Sequence, residues 1–119
     1  MEYLAIVAIV ERGKADTIVT QAKKAGARGA TILYGRGTGE HESRKFLNIQ
    51  IESSKEVIII ITERDRYSPI YNVIARVGGI EQPGVGIMFT VPVSNLIGVE
   101  HHQGLGEKAK DVKELRASP

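Results

Sequence analysis

The chain has 119 residues, and 16 Lys and Arg against 14 Asp and Glu give it a net charge of +2. This length suits one domain, and a charge so near neutrality argues against a dedicated nucleic-acid-binding protein. The chain contains no cysteine, which excludes disulfides, thiolate metal sites and thiol catalysis. It has no apolar run of 18 residues and no basic flank or cleavage site of a signal peptide, so we expect a cytoplasmic location.

The first third of the chain predicts a strand, a helix and a second strand. Tyr3 to Val10 is short, apolar and rich in β-branched residues, which is typical of a buried strand. From about Lys14 to Ala25 apolar residues recur every three or four positions, which predicts a helix that Gly26 would end. Ala30 to Tyr34 predicts a second strand, and the polar, glycine-rich segment from Gly35 to Lys45 predicts a loop.

Two further strand patterns follow this loop. Leu47 to Glu52 alternates strictly between apolar and polar residues, which predicts a strand with one face in water. We expect Ser53-Ser54 to interrupt it. Val57 to Ile61 is apolar at every position, which predicts a central strand that is buried on both faces.

The last third of the chain predicts a second helix and an edge strand. Ser68 as N-cap and Pro69 as first helical residue predict the start of a helix, which Gly78-Gly79 would end. Pro83 to Gly86 predicts a glycine-rich turn. Ile87 to Val93 predicts the last core strand, and its Pro92 suits the edge of a sheet.

An apolar run that ends in Glu-Arg and leads into a helical pattern occurs twice, at Glu11-Arg12 and at Glu63-Arg64. This repeat indicates a duplicated β-α-β unit and a βαββαβ order. Right-handed crossovers would place the first and third strands at the centre of an antiparallel sheet, with both helices on one face. The prediction is therefore an α+β, ferredoxin-like sandwich over residues 1–102, followed by a flexible tail or short helix over residues 103–119.

The sheet face without helices needs a cover, because the predicted central strand is apolar on both sides. Oligomerisation is the simplest cover. The alternative is that the N-terminal residues or the tail fold over this face.

The residues carry no enzyme signature. The histidines are His41 in the loop and the adjacent pair His101 and His102. Neighbouring residues after a strand point to opposite sides, so the pair is a poor chelator and is better explained as solvated surface. We predict no catalytic residue and no metal site, and we keep as an alternative a small ferredoxin-fold enzyme that uses His101 or His102.

Two glycine clusters carry a stronger signal, Gly35-Arg36-Gly37-Thr38-Gly39 after a strand and Pro83-Gly84-Val85-Gly86 before one. Successive glycines let backbone N–H groups turn toward one point and approach a phosphate closely. Neither cluster precedes a helix, so neither is a Rossmann or Walker turn. Tight hairpins use the same residues, which is the competing explanation.

Over residues 3 to 100 the sequence resembles the PII signal-transduction proteins, nitrogen regulators built as ferredoxin-like trimers. The resemblance depends on the βαββαβ order, on Gly35-x-Gly37 at the base of a long loop, on Lys55 beyond that loop, and on Pro83 to Phe89. It implies an inter-subunit cleft for a small anionic effector such as ATP, ADP or AMP, with no required cofactor. The residues implied to shape this cleft are Gly35, Arg36, Gly37, Thr38, Gly84, Val85 and Gly86, with Lys55 supplying charge to a phosphate.

The resemblance also implies a homotrimer and a partner protein. The loop that contacts partners in the family, the T-loop, corresponds here to Gly39, Glu40, His41, Glu42, Ser43, Arg44 and Lys45. The implied partner is a protein under regulation, such as a membrane transporter or an enzyme of nitrogen metabolism, and not a nucleic acid. The loop between Gly39 and Leu47 has no Tyr, so the family's tyrosine modification is not expected there.

Several ligand positions of the family differ in this chain. Gly39 replaces a Gln that helps hold a metal and 2-oxoglutarate, Ile87 replaces a Lys, and Gly98 and Glu100 lie at about the places of two Arg. Each missing cationic donor removes about 1.5–3 kcal/mol of charged hydrogen bonding. We therefore expect weak binding of ATP, with ADP or AMP losing less.

Two other classes share this strand order. An ACT-like module that senses small molecules is the main alternative. An RNA-recognition module needs aromatic residues on its central strands, and the corresponding strands here, Leu4 to Val7 and Val57 to Ile61, have none.

Overall fold

A computed structural model of the protein describes residues 2–37 and 53–99, together with the main chain of residues 45–46 and 49–50. In chain order the elements are β1 (Tyr3–Glu11), α1 (Ala15–Lys24), β2 (Thr31–Gly37), β3 (Lys45–Phe46), β4 (Ile49–Gln50), β5 (Ser53–Glu63), a 3₁₀ turn (Arg64–Arg66), α2 (Tyr67–Gly78) and β6 (Gly86–Val93). Four strands form one antiparallel sheet in the order β2-β5-β1-β6, and β3 pairs with β4.

The sheet order confirms the predicted ferredoxin-like sandwich. The first predicted strand, β1, and the apolar third strand, β5, lie at the centre, and β6 with its Pro92 lies at an edge. Helix α1 packs beside α2 and against β5, while α2 packs against β1, so both helices lie on one face. Each half of the predicted repeat is a strand, a helix and a strand.

The core lies between this face and the helices. Strand residues alternate between the two faces, and those on the helix side of the central strands are almost fully buried, with Ile6 at 1% and Ile60 at 0% exposure. From the helices, Ile18, Ile70 and Ile74 fill the space above them. Burying one such side chain stabilises the fold by about 1.5–3 kcal/mol.

Neither of the two helices in the described part of the chain lies on the other face of the sheet, and we call it the open face. On β5, Ile58 is 1% exposed on the helix side, but Val57 and Ile59 on the open face are only half-buried. The prediction that this strand is buried on both faces is therefore wrong for the single chain. The open face also exposes large apolar side chains on the two edge strands, namely Leu33, Ile87, Phe89 and Val91.

Two predicted breaks in strand structure are absent. Strand β2 continues through Gly37, although a loop was expected from Gly35, and β5 begins at Ser53, although the serines were expected to interrupt. Both differences have one cause, because Gly37 pairs with Ser53 and Gly35 with Lys55 in the same antiparallel ladder. A partner strand thus overrides weak local strand preference.

The second helix begins earlier than predicted. Tyr67 is its first residue and Arg66 its N-cap, so the prediction of Ser68 as cap and Pro69 as first residue is wrong. Pro69 is tolerated at the third position because the first amides of a helix have no intrahelical acceptor. Gly79 ends the helix in the left-handed conformation with φ 64°, as predicted.

The predicted strand from Leu47 to Glu52 lies mostly outside the described residues. Its described part, Ile49–Gln50, forms β4, which pairs with Lys45–Phe46. The loop predicted to end at Lys45 therefore ends in a short strand. Residues 103–119 also lie outside the description, so the division into a domain and a tail stays a prediction.

Candidate functional site at the loop end of the sheet

The end of the sheet where β2 stops and β5 starts carries most of the predicted effector residues, and we call it the loop end. Gly35, Arg36 and Gly37 are the last residues of β2, where they pair with Lys55, Ser54 and Ser53. Among the described residues, an added Cβ at Gly35 or Gly37 would meet nothing within 4 Å. Packing against this part of the chain therefore does not require the two glycines.

Lys55 lies at the same end on the neighbouring strand. It pairs with Gly35 on one side and with Glu11 on the other, and its side chain is only 14% exposed. Its ammonium Nζ donates a hydrogen bond to Glu11 Oε1 at 2.7 Å. The predicted phosphate contact is thus already part of an ion pair, which the sequence analysis did not anticipate.

The second glycine turn reaches this end from the other edge of the sheet. Gly84 has φ 83°, which favours glycine, and Gly86 opens β6 opposite Val10. A Cβ at Gly86 would lie 2.8 Å from the carbonyl oxygen of Ile9, closer than a side chain tolerates. Gly86 is therefore needed for the close approach of two backbones.

Both predicted turns meet at one end of the sheet, but they do not touch within one chain. Strands β5 and β1 separate Gly35 from Gly86. Three strand spacings amount to about 14 Å. The Glu11–Lys55 ion pair lies between the two turns.

The turn after β1 is tied firmly to β5. Glu56 is 6% exposed, and its Oε1 accepts hydrogen bonds from the amides of Gly13 at 2.6 Å and Ala15 at 3.0 Å. The Arg12 amide donates to the Ser54 carbonyl at 3.2 Å. A buried carboxylate thus fixes the backbone that follows Glu11.

Arg12 contacts β2 at the same end of the sheet. Its guanidinium lies 5.6 Å from the ring centroid of Tyr34, a side chain that is 73% exposed. This is a cation–π contact at an exposed position, worth about 0.5–1 kcal/mol. The contact links the turn after β1 to β2, the strand that carries Gly35.

The sequence analysis missed Glu11, Arg12, Tyr34 and Glu56. A signal existed for Glu56, because a period of two places it on the same face as Ile58 and Ile60, where a carboxylate must find donors. For the other three, the contacts depend on strand register, which one sequence does not display.

Other predicted residues lie outside the description or away from the site. Thr38 and the partner-loop residues up to Arg44 lie outside it, as do Glu100, His101 and His102, and Lys45 is described only in its main chain. Ile87 is 58% exposed, and Gly98 has φ 101°.

A half-open cavity of about 190 Å³ lies at the opposite end of the sheet. Glu63 is 4% exposed there and forms ion pairs with Arg28 at 3.4 Å and Arg66 at 3.5 Å. Val99, after β6, lines it together with Tyr3. Burial, and secondarily the charge of Glu63, raise the pKa of the Tyr3 hydroxyl, although Arg28 opposes them.

Within the described ranges, no group of three or more His, Asp or Glu side chains is arranged to hold a metal ion. Over the same part of the chain, neither helix has the length and apolarity that crossing a membrane requires.

A family model for nitrogen regulatory protein P-II matches residues 3–103. The chain belongs to the P-II family. The family is one of regulatory signal-transduction proteins, and the match confirms the resemblance inferred from the glycine turns and strand order. No curated protein sequence matches the chain significantly.

Solved P-II structures share the fold. The chain is similar to Arabidopsis thaliana PII bound to citrate, with a TM-score of 0.62 and 26% identity over 82% of this chain and 83% of that one. It is also similar to B. subtilis GlnK in its ATP complex, with a TM-score of 0.60 and 17% identity over 81% of this chain and 85% of that one. The second likeness concerns the fold alone.

Proposed function

We propose that this P-II protein binds a small anionic effector, an adenine nucleotide or another anionic metabolite, at the loop end and regulates a partner protein. The observation that carries the proposal is the meeting of three distant segments at one end of the sheet. Gly35–Gly37, Lys55 and Gly84–Gly86 all lie there, although the chain separates them widely.

The chemistry of these segments favours an anion. Gly35 and Gly37 leave their backbone open to close approach, and Arg36 and Lys55 add positive charge. The likeness to a plant PII protein bound to citrate, a carboxylate ligand, supports the same class of ligand. No resident cofactor or catalytic residue belongs to this proposal.

We include a homotrimer in the proposal, because the cleft is incomplete in one chain. The two glycine turns are about 14 Å apart across the sheet, so a small ligand bound at one of them needs further walls. The open face supplies a reason to associate, since Leu33 is 48% exposed and Phe89 42% exposed. A neighbouring subunit on this face would cover it and complete the cleft.

The proposed output is a protein contact through the loop that follows Gly37. The residues assigned to it are Gly39, Glu40, His41, Glu42, Ser43, Arg44 and Lys45. Family membership supports a partner in nitrogen metabolism or membrane transport and a cytoplasmic location, and it does not suggest a nucleic acid.

Two measurements test this function. Sedimentation equilibrium should give about three times the chain mass of 13.0 kDa, and a stable monomer at micromolar concentration would overturn the inter-subunit cleft. Calorimetry with ATP, ADP, AMP and citrate should show binding that Lys55→Ala weakens. Lys24→Ala, in the exposed last turn of α1, is the matched control and should leave binding unchanged.

The ligand series also tests the reasoning about charge. Because three cationic positions of the family are lost, the dissociation constant of ATP should lie above the micromolar range. Sub-micromolar binding of ATP would show that other groups replace those cations. Absence of binding by all four ligands would overturn the effector proposal.

A further inference from the structure

The ion pair between Glu11 and Lys55 occupies the charged centre of the proposed effector site. The two residues are direct cross-strand partners, and their side chains meet at 2.7 Å. Lys55 is 14% exposed and Glu11 is 38% exposed, so the carboxylate is the half of the pair that a ligand reaches more easily.

Glu11 is held at this position by its own backbone. Its carbonyl accepts the Lys14 amide at 3.3 Å, and the next residue, Arg12, is bonded to Ser54 at 3.2 Å. The amides of Gly13 and Ala15 donate hydrogen bonds to the Glu56 carboxylate. These bonds tie the main chain at residue 11 to its neighbours, so rotation of the side chain is the easiest way to move the carboxylate.

A fixed carboxylate changes which anions the site accepts. A ligand phosphate that approaches Lys55 also approaches Glu11, and it must share the ammonium with it. The repulsion grows with each further negative charge on the ligand that lies within a Debye length, about 8 Å at physiological salt. A triphosphate is therefore penalised more than a monophosphate.

We infer that Glu11 is a specificity-determining residue, which makes the loop end discriminate against ligands of high negative charge. The inference rests on the proposed function, since it concerns the same site. Glu11 lies outside both glycine turns. Its proposed role is to repel polyphosphates and not to bind them.

The test compares AMP and ATP, which share adenosine and differ in their phosphates. Glu11→Gln removes one charge and keeps an oxygen that accepts the bond from Lys55. Glu2→Gln is the matched control, because Glu2 also lies near an end of β1, pairs with Arg64 at 3.1 Å, and is 78% exposed far from the loop end. Circular dichroism and thermal unfolding establish that both variants fold.

Calorimetry without divalent cations gives the ratio of the ATP and AMP dissociation constants. For Glu11→Gln we expect this ratio to fall about fivefold, the upper range for one charge interaction at a half-exposed site. The fall should shrink when salt is added. Glu2→Gln should leave the ratio unchanged.

The outcomes separate the two proposals. Nucleotide binding with the same ratio in Glu11→Gln and in the parent protein overturns the inference and leaves the proposed function in place. The same fall in both variants overturns it too, since the effect would then be one of net charge. ATP binding that appears only in Glu11→Gln supports the inference, and absence of binding in every variant overturns both proposals.

Discussion

The carboxylate of Glu56, on the second central strand, caps Ala15, the first residue of the first helix. Its Oε1 accepts the Ala15 amide at 3.0 Å, and the same oxygen accepts the Gly13 amide at 2.6 Å. Lys14, at the N-cap, makes no capping bond of its own. A side chain 41 positions later in the sequence thus supplies the acceptor that the start of this helix needs.

Glu56→Ala should destabilise the fold by about 1–3 kcal/mol, because it leaves the buried amide of Ala15 and the partly buried amide of Gly13 without this acceptor. Glu56→Gln should cost less, since one acceptor oxygen remains. Urea unfolding at neutral pH measures both values. Glu81→Gln, in an exposed turn, is the control and should stay within about 0.5 kcal/mol; an equal effect at both positions would mean that the cap contributes nothing.

Gly86 and Gly35 should respond in opposite ways to the same substitution. Gly86→Ala brings a Cβ to 2.8 Å from the Ile9 carbonyl, and because backbone cannot step aside we expect a loss of about 1–3 kcal/mol. Gly35→Ala meets no described residue within 4 Å and should leave the free energy of unfolding nearly unchanged. Thermal unfolding of the two variants, made side by side, tests this contrast.

The contrast also separates structure from binding. If Gly35→Ala keeps full stability but loses affinity for the effector, the glycine serves close approach of a ligand rather than folding. If Gly35→Ala unfolds like Gly86→Ala, the turn is under a strain that the open space beside it does not reveal.

Periodicity predicted much of this fold. The first strand was predicted to end at Val10 and ends at Glu11, and the first helix was predicted from about Lys14 and starts at Ala15. Local pattern suffices there because a long apolar stripe has one stable way to face a core. The strand order that was predicted brings the two glycine turns to one end of the sheet, which the pairing of Gly35 with Lys55 and of Gly86 with Val10 shows.

Electrostatic detail was not predictable in the same way. The Glu11–Lys55 ion pair depends on the register of two strands that are 44 residues apart. A shift of one strand by one residue would move its side chain to the other face and separate the pair. The start of the second helix at Tyr67 depends likewise on the 3₁₀ turn before it, whereas Ser68-Pro69 is the stronger local signal.

The open face gives a direct test of association. Leu33→Glu or Phe89→Glu places a charge on a surface that an assembled protein would bury, so each should shift the protein to monomers without unfolding it. Asn72→Glu adds the same charge on the exposed side of the second helix and should leave the assembly unchanged. Sedimentation velocity reports the mass, and an unchanged mass in both open-face variants would mean that another surface holds the chains together.

Tyr3 provides a prediction on the pH dependence of stability. Burial first, and then the nearby Glu63, raise the pKa of its hydroxyl above the ordinary value of 10.0. The folded state therefore keeps the proton at a pH where the unfolded chain releases it. This contribution to stability is complete below about pH 10 and is lost as the pH rises toward the folded-state pKa.

Tyr3→Phe removes the ionisable group and keeps the ring. The free energy of unfolding should therefore fall less steeply above pH 10 in Tyr3→Phe than in the parent protein, while the two slopes should agree near pH 8. Ultraviolet absorbance of tyrosinate supplies an independent measure, since the variant should lose one titration step above the ordinary tyrosine value. Parallel stability curves across the whole range would show that the Tyr3 hydroxyl reaches water freely, and the cavity between Arg28, Glu63 and Val99 would then be open rather than shielding it.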